Sequence, residues 1–455
     1  MRIALTFWFA ATALIAATDQ PSLVQSAKIG DKAGLRALIQ KKADINAAEA
    51  DGSTALHWVS YHDDLESADL LLRAGAKVNA ANDLGATPLW AASQNGSAAM
   101  VAKLLDAGAN PNAALLSGET PLMVAARSGY PRVVEQLAAK GASVNAHGSR
   151  GQTALMWAVS QKHPEVVKVL LAHGADVHAR SDTWSEVMAV PPHGHLEYNR
   201  AIPHGSDTAL LFAARVGDLE SAKLLVGAGA NVNDADAWGV SATVLAAHSD
   251  FEPMVEFFLD KGADPNLAAA GFSALHEAIM RRDEKMVSAL LAHGADANAP
   301  LRTWTPTRRS SKDYHFEPAM VGATPFWLAA RFTEPEIMRM LAKHGADPKF
   351  IQHSDYLTEL RGQHRSEATT AILAALGMGG GSAWVPVESG VREALTLETV
   401  KLAVELGVDV NAANLDGRTA LDAAKRLGFD SVAMFLTEHG AKPGKPARKE
   451  DAPKE

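Results

Sequence analysis

The chain has 455 residues, a formal net charge of -9 and no cysteine. The absence of cysteine excludes disulfides, thiolate metal sites and a cysteine nucleophile. The acidic balance disfavours nucleic-acid binding, because nucleic-acid-binding proteins present a basic patch. The only basic run lies in the tail 442–455, which also carries acids and prolines and is predicted to be disordered.

Residues 1–17 have the pattern of a secretory signal peptide. Arg2 precedes the apolar stretch IALTFWFAATALIAA, with small residues around Ala16 that suit a signal peptidase. We therefore expect a periplasmic or secreted protein with no membrane span after removal of the signal. A first buried helix and an uncleaved anchor remain as alternatives, although the stretch is short for a span.

A glycine recurs through the chain at a nearly fixed interval and closes a stretch of helical apolar spacing each time. This position favours glycine because a helix often ends there with positive φ. The series begins with Gly75, Gly108, Gly141 and Gly174, which are evenly spaced, and continues with Gly229, Gly262, Gly294, Gly345, Gly407 and Gly440. Lys42 stands one regular interval before Gly75 and marks a first unit that lacks the glycine.

A second motif opens most units and predicts the start of a helix. It reads GSTALH from Gly52, GATPLW from Gly85, GETPLM from Gly118, GQTALM from Gly151, GFSALH from Gly271, GATPFW from Gly322 and GRTALD from Gly417. Thr or Ser accepts hydrogen bonds from the first helical turn, and Pro suits the next position. Each unit is therefore predicted to be two short antiparallel helices, followed by a projecting tight loop such as GAKVNA.

With both motifs in phase, the chain resembles the ankyrin repeat family, whose unit is a hairpin-like turn plus two helices in about 33 residues. The resemblance implies an all-α solenoid of about twelve helix-turn-helix units, stacked side by side as a rod. It also implies that partners bind on the loop tips and on the first helices, which line a concave face. His57 and His276 occupy the histidine of the family motif, where the residue is structural.

The repeat register predicts the organisation of the whole chain. The interval between Gly345 and Gly407 is nearly twice the regular one, which leaves room for two units, and Gly377 is the candidate boundary between them. The predicted segments are a signal peptide at 1–17, repeats 1–5 at 22–179, an inserted loop at 180–204, repeats 6–8 at 205–298, an inserted loop at 299–320, repeat 9 at 321–348, degenerate repeats 10–11 at 349–413, repeat 12 at 414–441 and the tail at 442–455.

The two inserted loops resemble each other and both follow the GAD motif. Each begins with a Thr-Trp pair, at Trp184 and Trp304, and later carries a tyrosine, at Tyr198 and Tyr314. Large aromatic residues beside Arg and His are common in recognition surfaces. Three unit steps separate the inserts, so we expect them to lie roughly 25–30 Å apart and to hold one partner between them. The alternative is that both tryptophans fold back as structural caps on adjacent repeats.

The first insert also contains a histidine cluster that leaves a metal-binding hypothesis open. His193 and His195 are one residue apart, and Glu197 or His204 would supply a third ligand. A solvated loop is the competing interpretation, and we predict neither a metal nor a cofactor.

Alignment of the units places polar and aromatic side chains at exposed positions near the end of each first helix. These candidate partner-binding residues are Tyr61, His62, Gln94, Asn95, Arg127, Gln161, Arg215, His248, Arg281, Arg331 and Phe332, and the loop tips add Leu84, Arg150 and Trp238. The four arginines at the helix ends, Arg127, Arg215, Arg281 and Arg331, would form a basic row suited to carboxylate or phosphate groups. Arginine is also simply common at this position in such repeats.

The sequence contains no H-E-x-x-H, G-x-S-x-G, P-loop or dinucleotide-binding motif. We therefore predict an exported, monomeric, non-enzymatic scaffold that binds a protein or peptide partner on its concave face and extended loops. Two alternatives remain open: a ligand or metal sensor built on the histidine-containing insert, and a secreted effector directed at a host cell.

Overall fold

The computed structural model describes residues 21–188, 199–305, 315–357, 363–380 and 389–445. The predicted signal peptide, the tail after residue 445, and His193, His195, Glu197, Tyr198 and Tyr314 lie outside these ranges. The chain divides into two compact units, Met1–Ser143 (unit 1) and Val144–Glu455 (unit 2), and each is described by itself.

The described part of unit 1 consists of four antiparallel helix pairs. They are α1 (Leu23–Ile29) with α2 (Lys32–Gln40), α3 (Ala55–Tyr61) with α4 (Leu65–Arg73), α5 (Pro88–Asn95) with α6 (Ala98–Asp106), and α7 (Pro121–Arg127) with α8 (Pro131–Ala139). The first helix of each pair packs against the first helix of the next, from α1 through α3 and α5 to α7. Unit 1 is therefore a stack of repeated pairs.

The described part of unit 2 contains seven helix pairs. They are α9 (Ala154–Ser160) with α10 (Pro164–Ala172), α11 (Ala209–Val216) with α12 (Leu219–Gly227), α13 (Ala242–His248) with α14 (Glu252–Asp260), α15 (Ala274–Arg281) with α16 (Glu284–Ala292), α17 (Pro325–Arg331) with α18 (Pro335–Lys343), α19 (Ala371–Ala375) with α20 (Ser389–Glu405), and α21 (Ala420–Leu427) with α22 (Asp430–Glu438). Their first helices also pack in series, from α9 to α21.

The helix boundaries follow the two sequence motifs. Thr87 Oγ1 accepts a hydrogen bond from the Trp90 amide at the start of α5, and Thr120, Thr153 and Thr324 cap α7, α9 and α17 in the same way. At the other end of each unit, the closing glycines all have positive φ, and Lys42 has a φ of 59° in the unit that lacks the glycine. The predicted helix starts and ends are confirmed.

The apolar core lies between neighbouring pairs and repeats with the period of the sequence. Leu71, Leu104 and Leu137 stand one repeat interval apart, and all three are completely buried in unit 1. In unit 2, Leu170 and Leu225 occupy the same helix position and are equally buried. Each pair therefore depends on its neighbours for burial of its apolar face, as expected for a repeat array.

An asparagine in the projecting loops joins one unit to the next. The Asn79 side chain donates to the Gly108 carbonyl oxygen at 3.0 Å and accepts from the Asn110 amide at 2.7 Å. The same pair of bonds is made by Asn46, Asn112, Asn145, Asn266, Asn298 and Asn411. This repeated link holds the loops in a fixed row within each unit.

The all-α prediction is incomplete, because two loops of the chain contain strands. Strand β1 (Thr183–Met188) pairs antiparallel with β2 (Arg200–Gly205), and β3 (Gln352–Leu357) pairs antiparallel with β4 (His364–Thr369). The first pair lies in the predicted insert 180–204. The second pair lies where a degenerate repeat was expected.

The expectation of two repeats within 349–413 is wrong for the described residues of this segment. The helices there, α19 and α20, form one pair: α19 packs against the first helices α17 and α21, whereas α20 packs against the second helices α18 and α22. The long spacing is filled by β3–β4 and by the extra length of α20, which has 17 residues. Gly377 ends a first helix, so the described chain has eleven helix pairs.

None of the helices in the described ranges is both long and apolar enough to cross a lipid bilayer.

Candidate partner-binding surface

The candidate first-helix residues of unit 1 lie at the ends of α3, α5 and α7. Tyr61, His62 and Asn95 are exposed, and Gln94 and Arg127 are half-buried. Since the repeats place these side chains at successive helix ends, they form one row, which we name the unit 1 row. The predicted exposure therefore holds for Tyr61, His62 and Asn95 and only partly for Gln94 and Arg127.

The exposed end of α3 is organised around Trp58. Its indole N–H donates to a Glu49 carboxylate oxygen at 2.9 Å, and the Lys28 ammonium lies 4.5 Å from the ring centroid. Tyr61 packs edge-on against the ring at 6.3 Å, and His62 stacks on it at 6.2 Å. The aromatic residues of this row are therefore held in place before any partner arrives.

Part of the polar capacity of the candidate residues is used to join repeats. His62 Nε2 lies 3.0 Å from the Lys28 carbonyl oxygen, and the Asn95 side chain donates to the Tyr61 carbonyl oxygen. In unit 2, the Arg281 guanidinium donates to the His248 carbonyl oxygen. Each bond satisfies a carbonyl at the end of the preceding first helix, where no intrahelical donor is available.

Two of the four arginines in the predicted basic row form ion pairs with their own repeat. The Arg127 guanidinium lies 2.7 Å from the Glu119 carboxylate, and the Arg215 guanidinium lies 2.8 Å from the Asp207 carboxylate. In both cases the acid precedes the arginine by one helix length and lies beside the helix N-cap. Burial raises the pKa of the Glu119 carboxyl, while Arg127 acts in the opposite direction. The row therefore presents ion pairs at these two positions.

The predicted exposure of Arg331 and Phe332 is wrong, because both are buried; Arg331 is only 1% exposed. The Arg331 guanidinium donates to the carbonyl oxygens of Met378 at 3.1 Å and Gly380 at 2.6 Å, and it reaches the Ala374 carbonyl at 3.4 Å. Burial lowers the pKa of this guanidinium. Arg331 therefore holds the chain that follows α19.

Glu277 is a site residue that sequence reasoning missed. It is only 3% exposed, at a first-helix position where other units carry apolar residues such as Val124 or Phe212. Its carboxylate lies 3.1 Å from His248 Nδ1 of the preceding repeat. The signal was present in the sequence as a single acid in an otherwise apolar column. Together with exposed Gln161 and Arg215, His248 forms the unit 2 row.

The loop tips carry apolar side chains in unit 1 and basic or aromatic side chains in unit 2. Leu84 and Leu116 are 67% and 82% exposed, and the Leu116 amide donates to the Leu84 carbonyl oxygen at 2.9 Å. Leu116 was missed, although it lies in the next loop at almost the same place in the repeat register. In unit 2, Trp238 is half-buried and packs edge-on against Phe272 at 5.7 Å.

The first insert presents Trp184 on its outer strand. Trp184 is 38% exposed, stacks on His204 of β2 at 5.7 Å and lies 4.9 Å from the Arg150 guanidinium carbon. Arg150 is itself exposed at the preceding loop tip. This tryptophan is therefore held by neighbouring side chains and remains partly accessible.

The predicted separation of the two inserts is wrong, because they touch. The Arg200 guanidinium carbon of β2 lies 4.8 Å from the ring centroid of Trp304, and Arg200 donates to Thr303 Oγ1 at 3.2 Å. Trp304 is only 5% exposed, so it is a structural aromatic residue and not an exposed contact residue. The prediction rested on repeat spacing alone and took no account of a strand pair that extends from the first insert to the second.

The described residues contain no group of three or more His, Asp and Glu side chains that could hold a metal ion. His204, the one described member of the histidine cluster, stacks on Trp184.

His57 and His276 have the structural role that the resemblance implied. His276 Nδ1 bonds the amide of Ser273 at 3.1 Å, and Nε2 reaches the Ala299 carbonyl oxygen at 3.0 Å. His57 makes the equivalent bonds to Thr54 and Ala86. Burial lowers the pKa of both imidazoles, and that of His276 falls to about 4. In the neutral form, His57 and His276 therefore join one loop to the next through hydrogen bonds.

Comparison with known families agrees with this architecture. A family model for ankyrin repeats (3 copies) matches residues 23–114, 89–181 and 210–300. A second family model, for ankyrin repeats (many copies), matches residues 155–226. Together the matches span 23–300, which is more than half of the chain. The chain belongs to the ankyrin repeat family, whose repeats are generally protein–protein interaction modules. No curated protein matches it.

Proposed function

We propose that this chain is a non-enzymatic scaffold that binds a protein or peptide partner through its loop tips and the face lined by its first helices. The observation that carries the proposal is the pair of exposed leucines, Leu84 and Leu116. A backbone hydrogen bond holds their loops side by side, so the pair forms one apolar contact point. Covering it with a partner removes apolar surface from water, which favours association.

Preorganisation supports the same proposal. The loops are joined by the asparagine links described above, and Tyr61 is held against Trp58. Fixed loops and side chains lose little conformational entropy on docking, so more of the contact energy appears as affinity. Leu84, Leu116 and the unit 1 row are therefore the surface on which we expect a partner to bind.

We also infer that the protein is exported to the periplasm or secreted. The apolar stretch after Arg2 and the absence of cysteine support this inference. Cell fractionation and N-terminal sequencing of the mature chain test it. A chain that retains Met1 and remains in the cytoplasm would contradict export without affecting the binding proposal.

A photo-crosslinking residue placed at Leu84, Leu116 or Tyr61 tests partner binding in cells of the source organism. The matched control is Arg132, which is exposed on the second helix α8 of the same unit. We expect one protein to be crosslinked at the first three positions and not at Arg132. Leu84→Asp combined with Leu116→Asp should abolish that crosslink at Tyr61. Equal crosslinking at all four positions, or none, would refute the proposed surface.

A further inference from the structure

Strand β1 is the outer strand of its hairpin and is exposed from Thr183 to Val187, with Met188 half-buried. The contacts with later repeats come from β2: Ile202 is buried, and the Gly205 carbonyl oxygen accepts from the Ala237 amide at 2.9 Å. Within the described ranges this sheet has two strands. One edge of β1 therefore presents the backbone N–H and C=O groups of alternate residues to solvent.

This edge carries little of the usual protection against pairing with another chain, because Glu186 is the one charged residue of β1. Proteins commonly guard exposed edges with lysine, proline or very short strands. β1 reads TWSEVM, which contains neither lysine nor proline, has high strand propensity and is six residues long. The edge is also held at its base, where the Asp182 amide donates to the Arg150 carbonyl oxygen at 2.9 Å.

We propose that β1 pairs antiparallel with β1 of a second copy of this chain and forms a four-stranded sheet across a two-fold axis. The occupant of the edge is a second copy because the strand is complementary to itself. In such a symmetric antiparallel pair, two directly opposed residues have their side chains on the same face of the sheet. The two-fold axis therefore lies midway between the two copies of one residue. Only axes at Ser185 and Glu186 leave five residues of β1 paired.

Charge selects between these two registers. An axis at Glu186 sets two carboxylates directly opposite each other, which is destabilising. An axis at Ser185 sets Thr183 opposite Val187 and Trp184 opposite Glu186 of the second copy. Arg150 lies over Trp184, so each guanidinium then meets a carboxylate of the other copy. The serine-centred register therefore gives two β-branched pairs and two opposite-charge contacts. It makes the protein a dimer, which replaces the sequence-based expectation of a monomer.

Because the chain contains no cysteine, single substitutions can report the register directly. Opposed residues in an antiparallel pair have Cα atoms about 4.5–5.5 Å apart, which suits a disulfide. Under mild oxidation of the full chain, we expect Ser185→Cys to form a disulfide-linked dimer. Val187→Cys is the matched control, since its two copies would lie too far apart to bond. A dimer linked through Glu186→Cys and not through Ser185→Cys would overturn the proposed register.

Sedimentation equilibrium of the cysteine-free chain supplies the second test. We expect a reversible monomer–dimer equilibrium that Glu186→Arg or Arg150→Glu alone weakens by about tenfold, and that both changes together restore. Glu165→Arg makes the same charge change on the exposed face of α10 and should leave dimerisation unchanged. Circular dichroism checks that each variant is folded. A chain that remains monomeric at its highest soluble concentration, or a dimer indifferent to both single reversals, would overturn the proposal.

Discussion

The hairpins β1–β2 and β3–β4 interrupt the repeat at the same place, after the turn that follows a second helix and before the next first helix. Both are antiparallel pairs of six-residue strands. In β3–β4, however, Gln352 and Thr369 are completely buried, whereas β1 is exposed from Thr183 to Val187. One insertion point therefore carries one hairpin that belongs to the core and one that faces solvent.

The difference lies in what each hairpin packs against. In β3, the alternate residues Gln352, Ser354 and Tyr356 are buried, and the residues between them are exposed. The Gln352 amide donates to the carbonyl oxygens of Ala319, at the end of the second insert, and of Val321, which follows it. The hairpin β3–β4 thus provides packing that a regular loop would not provide. The exposed hairpin adds surface to the molecule.

Both loops that carry a hairpin also lack the loop asparagine. His178 and Lys349 stand at the position of Asn79 in the two loops that carry strands. The second insert, which has no strand in its described residues, keeps Asn298 and its bond to Gly345 at 2.8 Å. In these loops, loss of the asparagine accompanies the change from a turn to a strand pair.

The largest expected effect is at Arg331, which supports the covered region. Arg331→Met removes the hydrogen bonds to the carbonyls of Ala374, Met378 and Gly380. We expect unit 2 to lose about 2–4 kcal/mol of unfolding free energy, less than the sum of three charged bonds because burial of the guanidinium is itself costly. Urea unfolding measures the loss. Arg339→Met, on the exposed part of α18, should cost less than about 0.5 kcal/mol, and equal costs would contradict a structural role for Arg331.

The second prediction concerns pH and the loop of the second insert, which His276 holds at Ala299. The pKa of His276 is about 4 when folded and 6.5 ordinarily, so the unfolded chain takes up a proton first as pH falls. The stability that the folded chain gains from a neutral His276 is fully present above about pH 6.5. It decreases toward pH 4, by up to about 3 kcal/mol.

His276→Gln is the matched control, because glutamine keeps a capping acceptor without titrating in this range. The midpoint of thermal unfolding, measured from pH 7 to pH 4.5, should fall less steeply in this variant than in the natural chain. Parallel slopes would show that His276 is not the titrating group.

The third prediction applies one substitution to both hairpins. Thr369 Oγ1 accepts from the Trp327 indole N–H at 3.2 Å and donates to Gln352 Oε1 at 3.2 Å. Thr369→Val should therefore cost about 1–3 kcal/mol, because it leaves buried polar groups unpaired. Thr183→Val on exposed β1 should change the unfolding free energy by less than about 0.5 kcal/mol. Similar costs at both sites would end the distinction between the two hairpins.

The sequence predicted the helix pairs well because each is determined locally. A capping Thr or Ser and a closing glycine fix the ends of a helix from a few neighbouring residues, and Lys42 has a positive φ, as the closing glycines do. The loop that carries β3 and β4 was missed because the long spacing between Gly345 and Gly407 also fits two repeats. The alternation in QHSDYL was the available signal for β3, and it was outweighed by the period of the array.

The candidate site was harder to predict because exposure depends on what the inserts cover. Arg331 occupies the same repeat position as exposed Arg215, yet it is buried and bonds carbonyl oxygens of α19 and of the chain that follows it. Trp304 looked equivalent to Trp184 in sequence, yet Arg200 lies over its ring and it is only 5% exposed. These contacts join residues distant in sequence, so neither the period nor the motif contains them.

The smallest expected effect is at Arg200, which joins the exposed hairpin to the second insert. Arg200→Ala removes the guanidinium from Trp304 and the bond to Thr303, at a cost below about 1 kcal/mol. Hydrogen exchange should nevertheless accelerate across β1 and β2, because their far end loses its attachment. Arg132→Ala on α8 is the control and should leave this exchange unchanged. If exchange in β1–β2 is equally slow in both variants, the base of the hairpin alone holds it, through Asp182 and Gly205.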